Sequence, residues 1–465
     1  MSRMSDFSPA ALWTELDAGP GGAAARRYCI AYSGGLDSTA LLVALAGIAD
    51  RFAPGALRAV HVHHGLHEDA DAWAGRCEAR CEALGVPLEV LRVDARPARG
   101  ESPEARAREA RYGALRAHLA PGEVLLTAHH ADDQLETVLI QLLRGAGVAG
   151  LAAMPRESGF GPGRHRRPLL AFPREALARW VHAQGIDDWI EDPGNEEPRF
   201  SRNHLRQEVL PAIRAHWPAA AAAASRAARH CADAAQLLDE LAVFDAASCA
   251  AGDALDVRAM RALSAARRRN LVRWHARRLG LPVPDERRLA TLLEQVLGAS
   301  ADAQPRVRWP GGVARRYADR LWLIPEASLQ PVPGPLVWPE PRAPLELGGG
   351  RGRLSLAPST TGGLRPEALA SLPWRVVGRR GGERLKLPGR AGRRALKQLL
   401  HAAGVPPWLR ERMPLVEIGG TLAAVADLWI DEAWWAPSGH AAWRLSWEDC
   451  GLPGREAFVV GGQAF

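Results

Sequence analysis

Ser33-Gly34-Gly35-Leu36-Asp37-Ser38 places two glycines, two hydroxyls and a carboxylate within six residues. Glycines let a backbone turn tightly and bring its N–H groups close to an anion. Ser33 and Ser38 add donors, and Asp37 is able to hold Mg²⁺ against phosphates. The run is neither GxxxxGK[ST] nor GxGxxG, so ordinary P-loop and dinucleotide fingerprints are excluded. A second cluster, residues 127–137 (TAHHADDQLET), sets Asp132 or Asp133 three or four residues from Glu136, on one helix face. Acids at a helix N-terminus act as caps; beside a phosphate loop they also suit Mg²⁺, or an ammonium that must be steered and deprotonated. Arg108 and Arg111 lie three apart beside Tyr112 and share a helix face. In the alternating run PEARAREARYGALRAH, charge alone reads them as a solvated surface. His61, His63 and His64 alternate along an apolar stretch, a pattern of core or pocket lining more than of metal binding. Cys77 and Cys81, at i and i+4 with no second pair at zinc spacing, read as packed helix cysteines.

These groups need a frame that brings distant loops together. Residues 27–32 (RYCIAY) form a short apolar strand that ends in the glycine turn. STALLVALAGIADRF then has helical periodicity, with Ser38 or Thr39 near its start. LRAVHVHH, PLEVLRVD and EVLLTAHH read as strands. DADAWAGRCEARCEAL, PEARAREARYGALRAHL and DDQLETVLIQLLRG read as helices. Strands spaced by such helices predict a doubly wound parallel α/β sheet. Ligands of these sheets sit where strand ends enter helices. SGGLDS, HVHHGLHEDA and TAHHADDQ all fall there.

With 465 residues, 47% hydrophobic and 24% charged, the chain is sized for two or three ordinary globular domains. Disorder, collagen and coiled-coil classes are excluded for the whole chain. No membrane span and no secretory signal are expected, and six cysteines point to a reduced cytoplasm rather than a disulfide scaffold. Residues 1–217 carry a net charge of −3 and residues 218–465 carry +10. The bias to arginine, with only Lys386 and Lys397 as lysines, does not explain that asymmetry. The expected layout is a catalytic domain at 1–217, an Ala-rich connecting helix at 218–250 and a small α+β domain at 251–330. A Pro/Gly-rich linker with short strands at 331–366 and a C-terminal module at 367–465 complete it. Residues 258–288 hold ten arginines against two acids, and residues 375–412 hold eleven basic residues against two. Arg267, Arg268, Arg269, Arg273, Arg277 and Arg278 recur at helical spacing, as expected of a grip on a polyanion. Of the nearby Trp274, Trp309, Trp374 and Trp408, three are expected in the core.

The hexapeptide resembles the loop of the PP-loop ATP pyrophosphatases (adenine nucleotide alpha hydrolase-like fold), which split ATP between the α and β phosphates. Residues 61–66 (HVHHGL), 108–112 (REARY), 127–137, 167–170 (RPLL), 191–195 (EDPGN) and 202–206 (RNHLR) together resemble the motif set of the tRNA(Ile)-lysidine synthetases, and residues 379–385 through 413–415 resemble that family's C-terminal domain. The resemblance implies attachment of free L-lysine to the wobble cytidine of a CAU-anticodon tRNA(Ile), with ATP and Mg²⁺. It implies that Ser33, Gly34, Gly35, Leu36, Asp37, Ser38, His63, His64 and His129 hold the nucleotide. Asp37, Asp132, Asp133, Glu136, Arg108 and Arg111 would serve the chemistry, with Asp37 on the metal. Where the family usually carries Arg after HGL, this chain has His67. Another PP-loop enzyme, such as a tRNA thiolase or an amidating ligase, is an alternative reading. A non-catalytic RNA-binding protein is the other.

Overall fold

The computed structural model describes residues 6–18, 22–23, 26–65, 67–96, 103–191, 201–300, 303–370 and 373–448. The chain divides into two compact units, Met1–Leu237 and Leu238–Phe465.

In the first unit, α1 (Pro9–Asp17) precedes β1 (Tyr28–Ala31), α2 (Leu36–Ala46), β2 (Leu57–His63), α3 (Ala70–Ala83) and β3 (Leu88–Arg92). Next come α4 (Pro103–His118), β4 (Val124–Leu126), α5 (Ala131–Leu143) and the single turn α6 (Val148–Leu151). A hairpin of β5 (Glu157–Phe160) and β6 (Gly163–Arg166) leads to α7 (Arg174–Ala183). The short helices α8 (Ser201–His204) and α9 (Leu210–His216) are joined by a π-helical turn, and α10 (Ala220–Cys249) runs for 30 residues. The strands form one sheet in the order β3-β2-β1-β4-β6-β5. All pairings are parallel except that of β5 with β6. The chain therefore builds outward from β1 to β3 and then crosses back to set β4 on the other side of β1. The crevice at that reversal lies between the loops that leave β1 and β4, where such sheets bind ligands.

Strand alternation explains why both sheet faces are dry. Tyr28 and Ile30 of β1 pack with Leu12, Leu41, Cys77 and Leu177 on one face, while Cys29 packs with Leu115, Leu125 and Phe160 on the other. Two expectations about this unit shift. The helix after the glycine turn begins at Leu36 with Gly35 as its N-cap, earlier than Ser38 or Thr39. The strand expected across 123–130 ends at Leu126, because Thr127–His130 are spent on side-chain contacts and on capping α5. The helix α1 was not foreseen, although Ser8 caps it and Pro9 starts it.

The second unit opens with β7 (Ala250–Ala251), β8 (Ala254–Asp256), α11 (Val257–Ala262), α12 (Ala265–Arg278) and α13 (Glu286–Gly298). With β9 (Arg306–Trp309), β10 (Gly312–Tyr317) and β11 (Arg320–Pro325) they form an antiparallel sheet ordered β7-β8-β11-β10-β9. Two more five-stranded antiparallel sheets follow, with α14 (Leu396–Ala402) and α15 (Pro407–Arg410). Residues 331–366 do more than link. Leu336–Val337 pairs with Trp374–Val377, Arg353–Ser359 pairs along the whole of Ala442–Glu448, and Trp338, Leu347 and Leu354 are buried in the same core. That core also takes in Trp322 from β11, whose ring lies 6.0 Å from Trp408. Trp309, Trp374 and Trp408 are buried, as three of the four were expected to be, and Trp274 is half-buried.

Candidate functional site

The loop after β1 is shaped by Gly34. Its φ of +83° is a left-handed conformation that side chains rarely adopt. A Cβ there would meet Ile190 Cδ1 at 2.3 Å and Cys77 Sγ at 2.9 Å. Ile190 N–H donates to Gly34 O at 2.9 Å, so residues 186–190 brace the loop from behind. The Ser33 and Ser38 hydroxyls lie 3.0 Å apart, and Ser38 donates to Gly35 O. The first intrahelical bond of α2 runs from Thr39 N–H to Gly35 O at 2.9 Å. The N–H groups of Leu36, Asp37 and Ser38 thus lack an intrahelical acceptor and carry the positive end of the helix dipole, a ready anion site.

Four polar side chains in the first turns of α5 are buried: Asp132 at 8% exposure, Asp133 and Gln134 at 6%, and Glu136 at 1%. Such burial is tolerated only with partners. Asp132 Oδ2 accepts the N–H of Arg174 at 2.8 Å, and its Oδ1 accepts from Arg214 at 2.7 Å. Asp133 and His130 form a reciprocal cap. Arg206 donates to Asp133 Oδ1 at 2.7 Å through Nη2 and to Glu136 Oε1 through Nε. Arg202 stands 3.2 Å from Glu136 Oε2. The Gln134 amide pairs in both directions with the Met154 backbone. Burial would raise Asp133, but the neighbouring His130 and Arg206 hold it below the usual carboxylate range. For Glu136 burial wins over Arg206 and Arg202, and its carboxyl is pushed up.

His130 joins the two clusters. Its Nε2 lies 3.6 Å from Asp37 Oδ2 and 3.5 Å from Asp133 Oδ2. Burial opposes a charge on this ring, yet Asp133, Asp37 and Asp132 around it raise its pKa. Arg174 approaches Asp37 Oδ1 at 3.4 Å without a hydrogen bond, which leaves that buried oxygen unsatisfied. An oxygen of this kind beside a phosphate cradle fits Mg²⁺, which is usually held by one or two carboxylates plus substrate phosphates. Among the described residues no cluster of three metal-ligating side chains exists, so the remaining ligands would come from phosphate and water.

A third group forms beside the second. Arg108 and Arg111 of α4 stand 4.8 and 5.6 Å from the Tyr112 ring, and that ring lies 5.9 Å from His165 on β6. Arg167 donates to His165, and Thr127 bridges His165 and His129. Burial pushes both His129 and His165 down to about 3, helped for each by Arg167 and Arg108, so both rings are neutral. Two arginines that read as a plain solvated face thus belong to a cation-rich cluster at the sheet's ligand-binding edge. His63 is tied to the start of α3 instead. Its Nε2 is 3.2 Å from Asp71, which Arg92 also engages. His64 follows the end of β2. His67 stacks on Trp73 with centroids 4.6 Å apart and accepts the N–H of Asp69, a local role at the head of α3. A cavity of about 410 Å³ beside the loop is lined by Tyr32, Gly34, Cys77, Arg80, Ile186 and Ile190 among others.

Comparison with known proteins speaks to the same elements. The PP-loop domain matches residues 12–213, the TilS substrate binding domain matches 255–322 and the TilS substrate C-terminal domain matches 374–447. Over 433 residues the chain is 46% identical to the tRNA(Ile)-lysidine synthase of Pseudomonas aeruginosa, covering 90% of this chain and 93% of that protein. It is 41% identical over 436 residues to that of Methylococcus capsulatus, covering 93% and 95%. The chain belongs to the tRNA(Ile)-lysidine synthase family.

As a member of that family it carries an ATP-using PP-loop domain. Sequence reasoning had not assigned roles to Arg174, Arg202, Arg206, Arg214, Thr127 or His165. Arg202 and Arg206 lie within the RNHLR motif, but nothing in their spacing to α5 shows that they close over its carboxylates. Asp192, Pro193 and Asn195 of the EDPGN motif, and Leu66 of HVHHGL, lie outside the described residues. The six arginines of α12 are not all available to a polyanion. Arg267 pairs with the fully buried Asp245, Arg273 with Glu286 and Arg277 with Asp239, while Arg268 donates to the carbonyls of Met260 and Arg261. Arg375, Arg380, Arg390, Arg393, Arg394 and Lys397 remain exposed. Among the described residues no helix is long and apolar enough to cross a membrane.

Proposed function

We propose that the protein joins free L-lysine to C2 of the wobble cytidine of the CAU-anticodon tRNA(Ile), converting ATP to AMP and pyrophosphate. The observation that carries this reading is His130 standing between Asp37, on the phosphate-loop helix, and Asp133, on the carboxylate-rich helix. A nucleotide cradle and an amine-binding cluster then share one crevice.

The N–H groups at the head of α2, with Ser33 and Ser38, hold the phosphates of ATP. Arg108 and Arg111 offset the charge that develops as the cytosine O2 attacks the α phosphate and pyrophosphate leaves. Asp37, with its unsatisfied Oδ1, would hold Mg²⁺, which would offset the negative charge of the phosphates. A free amino acid brings a carboxylate and an ammonium together, and the α5 cluster offers both complements. Arg206 and Arg202 suit the carboxylate, and the ionised Asp133 attracts the ammonium. Glu136, with its raised carboxyl, takes the proton that the side-chain amine must lose before it attacks C2 and AMP departs. Asp132 holds α7 and α9 in place and touches neither substrate.

The catalytic domain at 1–217 is joined by the helix at 218–250 to the modules at 251–330 and 367–465. The exposed cations of the C-terminal module carry most of the grip on the tRNA body. A cytidine swung out of the anticodon loop reaches the crevice at low cost. The cytoplasm is the fitting location, since the described cysteines are all free thiols. Burial raises Cys29 and Cys77 to about 12 and Cys81 to about 11, which disfavours thiolate chemistry and a sulfur-transfer reading. The test is transfer of radiolabelled lysine into tRNA with stoichiometric AMP and pyrophosphate. Label that stays out of the RNA rejects the proposal.

A further inference from the structure

We propose that Thr127 and His165 are positioning residues that hold the proton of His129 on Nε2, so that this ring donates a hydrogen bond to a phosphate oxygen of the bound nucleotide. The inference deepens the proposed reading of the site and rests on it for the identity of the acceptor. A chain of donors fixes the tautomer. Arg167 Nη2 lies 3.1 Å from His165 Nδ1. A guanidinium only donates, so His165 Nδ1 accepts and its proton must sit on Nε2. That Nε2–H faces Thr127 Oγ1 at 2.8 Å and donates to it. The Thr127 hydroxyl is buried, at 7% exposure for the residue, and its other neighbour is His129 Nδ1 at 2.8 Å. Its own proton therefore goes to His129 Nδ1, because a buried hydroxyl proton without an acceptor is costly. His129 is left with its only proton on Nε2.

The direction of the chain is thus set by a charge on the loop after β6 and read out at the end of β4. Arg167, Arg108 and Arg111 contribute positive charge at His129, and Asp133 of α5 contributes negative charge. With three guanidinia of one sign about it, the acceptor is an anionic oxygen. A neutral ring with one fixed donor offers a hydrogen bond there and adds no fourth cation to the cluster. Sequence spacing does not show this chain. Thr127 and His129 sit two residues apart in a loop, but His165 comes from a hairpin 38 residues away.

The experiment is two-bond ¹H–¹⁵N correlation spectroscopy on the full-length protein labelled at histidine, with His129 assigned by its loss in His129→Gln. The expected wild-type spectrum shows His129 protonated on Nε2, unchanged across pH 6–8. Thr127→Ser keeps this pattern, and Thr127→Val gives both tautomers. Steady-state pyrophosphate release then shows the KM for ATP raised about tenfold in Thr127→Val, the effect of one weakened hydrogen bond to a charged group, and restored in Thr127→Ser. A wild-type ring protonated on Nδ1 overturns the proposal, and that spectrum decides even where Thr127→Val fails to fold. A Thr127→Val spectrum identical to wild type overturns it as well. A scrambled tautomer with an unchanged KM overturns the phosphate acceptor. The spectra need no nucleotide, so they stand apart from failure of the site reading, which would appear as an ATP KM indifferent to Asp37→Ala and His129→Gln alike.

Discussion

Replacing Arg206 by methionine removes a guanidinium that engages both Asp133 and Glu136 while keeping most of the side-chain volume. Breaking a buried ion pair from one side costs about 3–5 kcal/mol, because the partner is left charged without compensation. Two features reduce that figure. The Arg206 side chain is 38% exposed, so water screens part of the interaction, and Asp133 keeps His130 while Glu136 keeps Arg202. A loss of about 2–3 kcal/mol is expected for the first unit, measured by denaturant unfolding at pH 7. The pH dependence follows from the two carboxyls. Asp133 has a lowered folded pKa, so its stabilisation is present above its unfolded value and fades as pH falls through the folded one. Glu136 has a raised folded pKa, so it destabilises at neutral pH and protonation on acidification relieves it. Without Arg206 both carboxyls move up, and the gap between variant and wild type narrows steadily as pH is lowered from 7 towards 4. If Glu136 takes the proton from lysine, the acid limb of kcat moves to higher pH in the same variant and the KM for lysine rises. A loss below about 0.5 kcal/mol, the range of surface changes, with an unmoved acid limb, would refute the reasoning.

Asp37→Ala should abolish pyrophosphate release while filter-binding affinity for tRNA stays within about twofold, since Asp37 faces the cradle and His130 rather than a surface patch. Gly34→Ala should raise the KM for ATP at least tenfold; the φ of +83° and the Ile190 contact require the loop to shift, a strain of about 1–3 kcal/mol. Reversing the charges of the exposed Arg393 and Arg394 should weaken tRNA binding and reduce the slope of log K against log salt by up to about 0.9 for each phosphate that is no longer neutralised. The corresponding reversal at Arg273 and Arg277 should change that slope less, because Glu286 and Asp239 already neutralise them.

The amino-acid order alone determined the α/β alternation and the placing of SGGLDS and TAHHADDQLET at strand ends, which brings Asp37 and Asp133 to either side of His130. These follow from local signals: glycines at a strand–helix junction, apolar runs of strand length, acids at the head of a helix. Three of the four tryptophans were rightly expected in the core because large apolar rings gain most from burial. What each charged group does was decided only by the tertiary structure. Asp132 and Asp133 are adjacent and chemically identical, yet one secures the head of α7 and the last turn of α9 and the other faces His130 and Arg206. Arg202 and Arg206 reach α5 from 65 or more residues away. The arginines of α12 form a run of six in sequence, of which Arg267, Arg273 and Arg277 are paired with carboxylates in space. Coulomb energy and hydrogen bonding depend on distances of a few ångströms. Spacing along a chain sets such distances within one helix or strand, and only folding sets them between elements.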